Sequence, residues 1–310
     1  MEMSLSLATQ IGAMLIMVAV GYALIRLNVC SLREIRILSL IVLYAGAPCA
    51  IVNAFQIELT ADKLKGFALS IVAAVVIHII FIVLGEICGR LLGFNVVEKL
   101  SIMYPNSGNL IIPLVGRVLG QEMVFYCSGY MIVQTIMLWT HCKFAISEER
   151  EFDIRKIILN INILAIIVGM FLFITQTKMP TMIASSMTMM ANTMAPLSMF
   201  VIGMLLADMD LLEGLRHVRI YVVCLFRLIV YPLIVLAVIY VSGITHLFTG
   251  ANQILMVTML AASAPVASTI AQFAQLYNKH EFEASIINGL SILMCIITMP
   301  LINMLYMFLF

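Results

Sequence analysis

Long runs of apolar residues, separated by short polar connections, fill almost the whole of this 310-residue chain. The runs are continuous and do not alternate with a period of two, which favours helices over the strands of a barrel. An α-helix needs about 20 apolar residues to cross a bilayer, so the pattern predicts an all-α polytopic membrane protein with ten transmembrane helices. Their predicted positions are 5–27, 37–57, 65–92, 98–119, 122–145, 156–176, 181–207, 217–242, 251–275 and 283–308.

The most hydrophilic stretch of the chain, residues 147–156, divides the predicted helices into two sets of five. Since five is odd, the second set enters the membrane from the side opposite to the first. If the two halves are alike, residues 1–148 and 155–310 form a 5+5 inverted repeat, an architecture found in many secondary transporters.

Prolines occupy corresponding places in the two halves. Pro48 and Pro196 lie in the second and seventh predicted helices, and Pro105 and Pro265 lie in the fourth and ninth. A proline removes a backbone donor and clashes with the preceding turn. In the fourth helix, residues 104–113 combine two prolines and a glycine with three small polar residues, so we expect a break there and a weaker one in the ninth.

A broken helix exposes N–H groups at the start of one half and C=O groups at the end of the other. The N–H end attracts an anion, and the C=O end attracts a cation. Interrupted helices in corresponding positions of two halves are typical of a transport site. The sequence therefore predicts that the proline-broken fourth and ninth helices cross at a small polar site.

Composition excludes several classes of protein. The chain is 63% hydrophobic and 11% charged with a mean hydropathy of +1.12, against about 45–50% and 25% for soluble domains. A net charge of +1 leaves no basic surface for nucleic acid. There is no HExxH, P-loop or GxSxG motif, and none of the seven cysteines forms a CxxC pair, so no enzymatic activity, metal or cofactor is expected.

Basic residues indicate the orientation in the membrane, because loops rich in Lys and Arg stay in the cytoplasm. If the N-terminus is outside, twelve basic residues lie in the inner loops and four in the outer ones. We therefore expect both termini outside and the central loop in the cytoplasm of a multi-pass protein of the cell (inner) membrane.

Residues 104–114, Tyr-Pro-Asn-Ser-Gly-Asn-Leu-Ile-Ile-Pro-Leu, resemble the Asn-x-Gly-x-x-x-x-Pro-Leu stretch of the auxin efflux carrier family. That family includes bacterial malate and malonate permeases and the plant PIN-formed carriers. Residues 194–206 and 261–265 look like its seventh and ninth helices. The resemblance covers essentially the whole chain, although the long central loop of the plant members is missing.

The resemblance implies two domains and a substrate class. The scaffold would comprise helices within 5–57 and 156–207, and the transport domain would comprise helices within 65–145 and 217–308. Family substrates are small organic anions, so we expect alternating-access transport of a carboxylate through the bilayer. The scaffold is also the place for a homodimer contact.

The residues that would bind substrate follow from the breaks and from the family's pattern. Asn106 corresponds to the substrate-contacting asparagine beside the crossover Pro105, and Pro265 is its counterpart. Asn109 replaces an apolar residue of many members, which makes the site more polar. The full set of expected substrate-binding residues is Pro105, Asn106, Ser107, Asn109, Ser263, Pro265, Val266, Asn53 and Asn192.

Two ionisable residues inside predicted helices are candidates for charge recognition or coupling. Arg227 could pair with a substrate carboxylate, with Glu86 or with a helix C-terminus. His78 could carry a proton or serve only as an interhelical hydrogen-bond donor.

The sequence leaves two alternative functions open. One is a sodium-coupled carrier of the bile-acid type, which the lack of an intramembrane Asp or Glu pair opposes. The other is a membrane ligand sensor without transport, which the lack of a soluble output domain opposes.

Overall fold

The computed structural model describes residues 2–147, 155, 158–208 and 217–310. Within them the chain is helical apart from short connections, without a β-sheet, which confirms the all-α prediction. The helices are α1 Glu2–Arg26, α2 Leu32–Ile41, α3 Ala47–Ala54, α4 Ala61–Leu92, α5 Val96–Met103, α6 Ile112–Val118, α7 Gln121–Met137, α8 Lys143–Ser147, α9 Ile161–Thr175, α10 Thr181–Asp208, α11 Val218–Leu225, α12 Tyr231–Ser242, α13 Ala251–Ala262, α14 Ser268–Leu276 and α15 Glu281–Leu309.

Several of these helices join into stretches of membrane-spanning length. In the described residues, six stretches are long and apolar enough to cross a bilayer: Ile37–Ala54, Ala61–Leu92, Gln121–Ser147, Thr181–Ala207, Val218–Ser242 and Glu281–Leu309. Shorter apolar helices are Leu15–Arg26, Ile161–Thr175 and Ala251–Ala262. The predicted fourth and ninth helices are each divided into two short ones, so neither forms one long span. Ten membrane spans and the inverted repeat stay predictions.

Five-residue π-helical turns widen four of the joints between helices: Val42–Gly46, Ser107–Ile111, Leu138–Cys142 and Phe226–Val230. After three of them, the second residue of the next helix is a proline, namely Pro48, Pro113 or Pro232. A proline clashes with the carbonyl four residues earlier, and in each case that carbonyl lies in the widened turn. The π turns therefore let these helices continue past their prolines.

The chain folds into two compact units, each drawing segments from both halves of the sequence. Unit 1 comprises Met1–Ala68, Gly108–Gly129 and Arg155–Asp208, and unit 2 comprises Leu69–Ser107, Tyr130–Ile154 and Met209–Phe310. The predicted repeat boundaries and domain assignments stay predictions.

Unit 1 is built on close packing between α1 and α10. At Gly21 and Gly203 the helix backbones lie so near each other that a Cβ atom would overlap the facing helix. Elsewhere in unit 1, four phenylalanine rings form a cluster, with Phe55 4.9 Å from Phe125 and 6.4 Å from Phe173 and with Phe67 4.8 Å from Phe125. Small residues allow close approach and large rings fill the wider gaps.

Unit 2 is held at one end by charged and polar contacts. Asn95 caps α5 and its side-chain amide donates to Glu283 at the start of α15 (2.5 Å). Arg219 at the start of α11 donates through two nitrogens to the buried carboxylate of Glu98 (both 2.8 Å). A two-pronged ion pair of this kind fixes orientation as well as distance, so the beginnings of α5, α11 and α15 are tied together.

The glycine contact in unit 1 can be tested with two alanine substitutions. In Gly203→Ala the new methyl group meets the Tyr22 backbone nitrogen at 2.8 Å. Backbone atoms cannot rotate away as a side chain can, so we expect the free energy of unfolding to fall by about 1–3 kcal/mol. The matched control is Gly12→Ala in α1, where nothing lies within 4 Å and where alanine favours the helix by up to about 1 kcal/mol. Thermal unfolding of the purified protein should separate the two; equal midpoints would contradict the close packing of α1 and α10.

Candidate functional site

The first interruption, residues 104–106, begins where α5 ends at Met103. Tyr104 is extended (φ −111°, ψ 114°), the conformation that a following proline favours. Pro105 has no N–H with which to continue the helix. Helical structure resumes at Ser107 in the π turn that leads to α6.

The second interruption, residues 263–267, separates α13 from α14. Ser263 closes α13, and its hydroxyl donates back to the Met259 carbonyl of the same helix (2.8 Å). Ala267 is extended (φ −62°, ψ 123°) and stands directly before α14. Because alanine has no polar side chain, it cannot cap the first N–H groups of α14.

The two interruptions pair with each other through their backbones. Pro105 and Val266 lie opposite in an antiparallel bridge. The Asn106 N–H donates to the Pro265 carbonyl (2.7 Å), and the Ala267 N–H donates to the Tyr104 carbonyl (2.9 Å). Two segments that are far apart in the sequence are thus adjacent. Each provides hydrogen-bond partners for backbone groups of the other that the break left without a partner in the helix.

Arg227 hydrogen-bonds three carbonyl oxygens that the interruptions set free. Its Nε donates to Ala264 (3.0 Å), one Nη to Ile102 (3.3 Å) and the other Nη to Ala262. In an unbroken helix those oxygens would accept from residues 268, 106 and 266. The side chain is fully buried, with its guanidinium 5.0 Å from the centre of the Phe81 ring.

The contacts of Arg227 decide among the partners that the sequence offered for it. Ile102 belongs to the last turn of α5 and Ala262 ends α13, so one cation lies at the C-terminal, negative ends of both broken helices. Glu86 is not its partner, because that carboxylate pairs with Lys99 (2.8 Å).

Three side chains that sequence reasoning left out of the site complete the hydrogen bonding. Gln134 donates to the Pro105 carbonyl and accepts from the Ser107 hydroxyl. Ser291 accepts from the Val266 N–H (3.1 Å), and Asn288 donates to the Val266 carbonyl (3.4 Å). Gln134 and Asn288 are uncharged polar amides within predicted helices, which is the signal that the sequence offers, whereas a serine such as Ser291 gives none.

Asn106 is the predicted substrate contact that the structure places at a partly open position. It is half-buried, and its Nδ2 donates to the hydroxyl of Ser268, the first residue of α14 (3.1 Å). Ser268 and the next residue are also half-buried. An amide, a hydroxyl and the N–H groups at a helix start therefore converge beside the paired interruptions, and this set of donors suits an oxyanion.

His78 also belongs to unit 2, and its contacts are with Ala74 and two tyrosine rings. Its ring is fully buried, 5.1 Å from the ring of Tyr130 and 6.4 Å from that of Tyr104. Nδ1 lies 2.7 Å from the Ala74 carbonyl, which can only accept, so Nδ1 carries the proton. The opposite nitrogen, Nε2, has no hydrogen-bond partner in the described structure.

The remaining predicted site residues are not brought to this set within unit 2. Asn53 and Asn192 belong to unit 1. The Asn53 amide donates to Thr188 (3.3 Å), and Asn192 is exposed beside a cavity of about 30 Å³ that Arg117 also lines. The side chain of Asn109 lies outside the described part of the chain.

In a comparison with known protein families, one family model matches nearly the whole chain. The model, described as membrane transport protein, matches residues 7–152 and 147–303. The matched segments meet at the central hydrophilic stretch and leave out only a few residues at each end. A comparison with curated proteins finds no match.

The contribution of Gln134 can be tested by Gln134→Leu, which keeps the volume and removes both hydrogen bonds. We expect the free energy of unfolding to fall by about 1–3 kcal/mol for each polar group left buried without a partner, and solute uptake into proteoliposomes to fall with it. Gln272→Leu, at an exposed position on α14, is the matched control and should behave as the unmodified chain. Equal stability of the two variants would contradict the role assigned to Gln134.

Proposed function

The chain belongs to the membrane transport protein family, and from that premise we propose that it is a secondary transporter moving a small organic anion by alternating access. The favoured substrate is a carboxylate, as in the malate- and malonate-permease-like members that the sequence resembles. The family is one of transporters, not enzymes. The proposed setting is the cell membrane, with ten spans, both termini outside and the central loop in the cytoplasm.

The observation that carries this proposal is the pairing of the two interruptions beside a set of hydrogen-bond donors. Asn106 and Ser268 are half-buried, so they are accessible while the backbone behind them is not. The start of α14 adds uncapped N–H groups and the positive end of the helix dipole. A carboxylate has two oxygens that accept from such donors, whereas a cation would meet the same donors unfavourably.

Alternating access suits the way in which these groups are connected. Asn106, Pro265, Ser268 and Arg227 all belong to unit 2 and are linked there by hydrogen bonds. In the proposed mechanism the fourth and ninth helices cross at the substrate. The transport helices then move against the scaffold helices and carry the anion with its donors from one face of the membrane to the other. Any homodimer would form through the scaffold helices.

The central test of the proposal is Asn106→Ala. The substitution removes the amide that faces the half-buried side of the interruptions, and we expect uptake of small carboxylates into proteoliposomes to fall by at least about tenfold, the value of one charge-assisted hydrogen bond. The matched control is Asn252→Ala, which loses hydrogen bonds to Tyr306 and Phe310 elsewhere in unit 2 and should retain uptake. Normal uptake by a folded Asn106→Ala protein would remove the site assignment.

Coupling to sodium is tested by replacing the ion. The described residues contain no cluster of three or more His, Cys, Asp or Glu side chains that could hold a metal ion, and the partners at the interruptions are amides, hydroxyls and Arg227. We expect carboxylate uptake to be unchanged when choline replaces sodium on both sides of the vesicle. Uptake that stops without sodium would favour a symporter of the bile-acid type.

A further inference from the structure

We propose that Arg227 makes the site selective for anions through its uncompensated positive charge, without touching the substrate. This inference rests on the proposed function and adds to it the residue that sets the charge preference. In this view Arg227 is a specificity-determining residue that acts at a distance, whereas Asn106 and the start of α14 make the contacts.

The Arg227 guanidinium is fully buried against the interruptions. Arg227 has 0% of its surface exposed, and all three of its nitrogens donate to backbone carbonyls. The ring of Phe81 lies 5.0 Å from the guanidinium. Because the guanidinium is fully buried, a substrate held by the half-buried Asn106 and Ser268 does not touch it in this arrangement.

These contacts stabilise the guanidinium but do not neutralise it. Carbonyl dipoles and an aromatic ring carry no net negative charge. In the described part of the chain, no carboxylate lies within salt-bridge distance of Arg227. Two acidic residues on neighbouring helices already have basic partners: Glu86 pairs with Lys99, and Glu98 pairs with Arg219.

The charge is close enough to influence a bound ligand. Ala264, which accepts from Nε of Arg227, is followed by Pro265, whose carbonyl accepts from the N–H of Asn106. The guanidinium and the donor set are thus connected through neighbouring peptide groups. At an effective dielectric constant of about 20, a unit charge several ångströms away favours an anion over its neutral analogue by roughly ten- to hundredfold.

Two substitutions at Arg227 separate charge from hydrogen bonding. Arg227→Lys keeps the charge and gives up the planar fork, whereas Arg227→Gln keeps two N–H donors and gives up the charge. We expect Arg227→Lys to retain the preference for anions and Arg227→Gln to lose it, although both should be less stable than the unmodified protein.

A second pair of variants leaves Arg227 in place. Cys295 is 3% exposed and its thiol lies 4.0 Å from the carbonyl of Ser263, which stands in the chain between Ala262 and Ala264, two of the three residues that accept from Arg227. Cys295→Asp puts a carboxylate near the guanidinium and should cancel its charge. Cys295→Asn puts an uncharged group of the same shape there and should not.

The measurement compares the uptake of malonate into sealed proteoliposomes with the uptake of malonamide, its uncharged analogue of the same shape. The unmodified chain, Arg227→Lys and Cys295→Asn should prefer malonate by at least about tenfold, whereas Arg227→Gln and Cys295→Asp should show a preference of about twofold or less. Thermal unfolding of each protein verifies that it is folded.

The result that would overturn the inference is equally specific. If Arg227 has only a structural role, Arg227→Gln and Arg227→Lys should lose uptake of both compounds in parallel. Cys295→Asp should then keep the preference of the unmodified chain. Equal handling of malonate and malonamide by the unmodified chain also overturns it, without any variant, while a carrier function stands. Failure of the unmodified chain to transport any small carboxylate contradicts the proposed function itself, and this inference with it.

Discussion

Breaking two helices inside an apolar layer frees backbone groups that water cannot reach, and each such group costs several kcal/mol if it stays without a partner. In unit 2, three of the freed carbonyl oxygens accept hydrogen bonds from Arg227. Other backbone groups pair across the interruptions or with Gln134, Ser291 and Asn288. The interruptions can be buried because these groups find partners, so the site depends on them.

The same arrangement separates opposite polarities within a short distance. The C-terminal ends of α5 and α13 converge on the buried cation, while the start of α14 and Asn106 present donors on the half-buried side. In a chain that is 63% hydrophobic, the proposed anion site would therefore need only one buried formal charge. Low polarity around that charge increases the range over which it acts, so the apolar surroundings would contribute to the proposed recognition.

The two breaks, Arg227 and a pair of asparagines show how much of the site can be predicted from the sequence. The two breaks were predictable at their correct residues, because proline chemistry acts on the preceding turn and is a local property. Arg227 could be recognised as unusual, since a charge inside an apolar helix is costly, but its partners could not be chosen among a substrate, Glu86 and a helix end. The expectation that Asn53 and Asn192 face the breaks rests on the resemblance alone and stays a prediction, since both residues belong to unit 1 and the breaks belong to unit 2.

The amino-acid sequence by itself determined that this chain is helical, belongs in a membrane and is broken near Pro105 and Pro265, because the length of the apolar runs and the geometry of proline are local properties. Only the tertiary structure decided that Asn106 meets Ser268, 162 residues away, and that Arg227 meets the ends of two different helices. Those contacts join segments that have no local influence on each other. Backbone groups freed by each break must find a partner somewhere in the folded chain, and their pairing brings Asn106 to Ser268 and Arg227 to the helix ends.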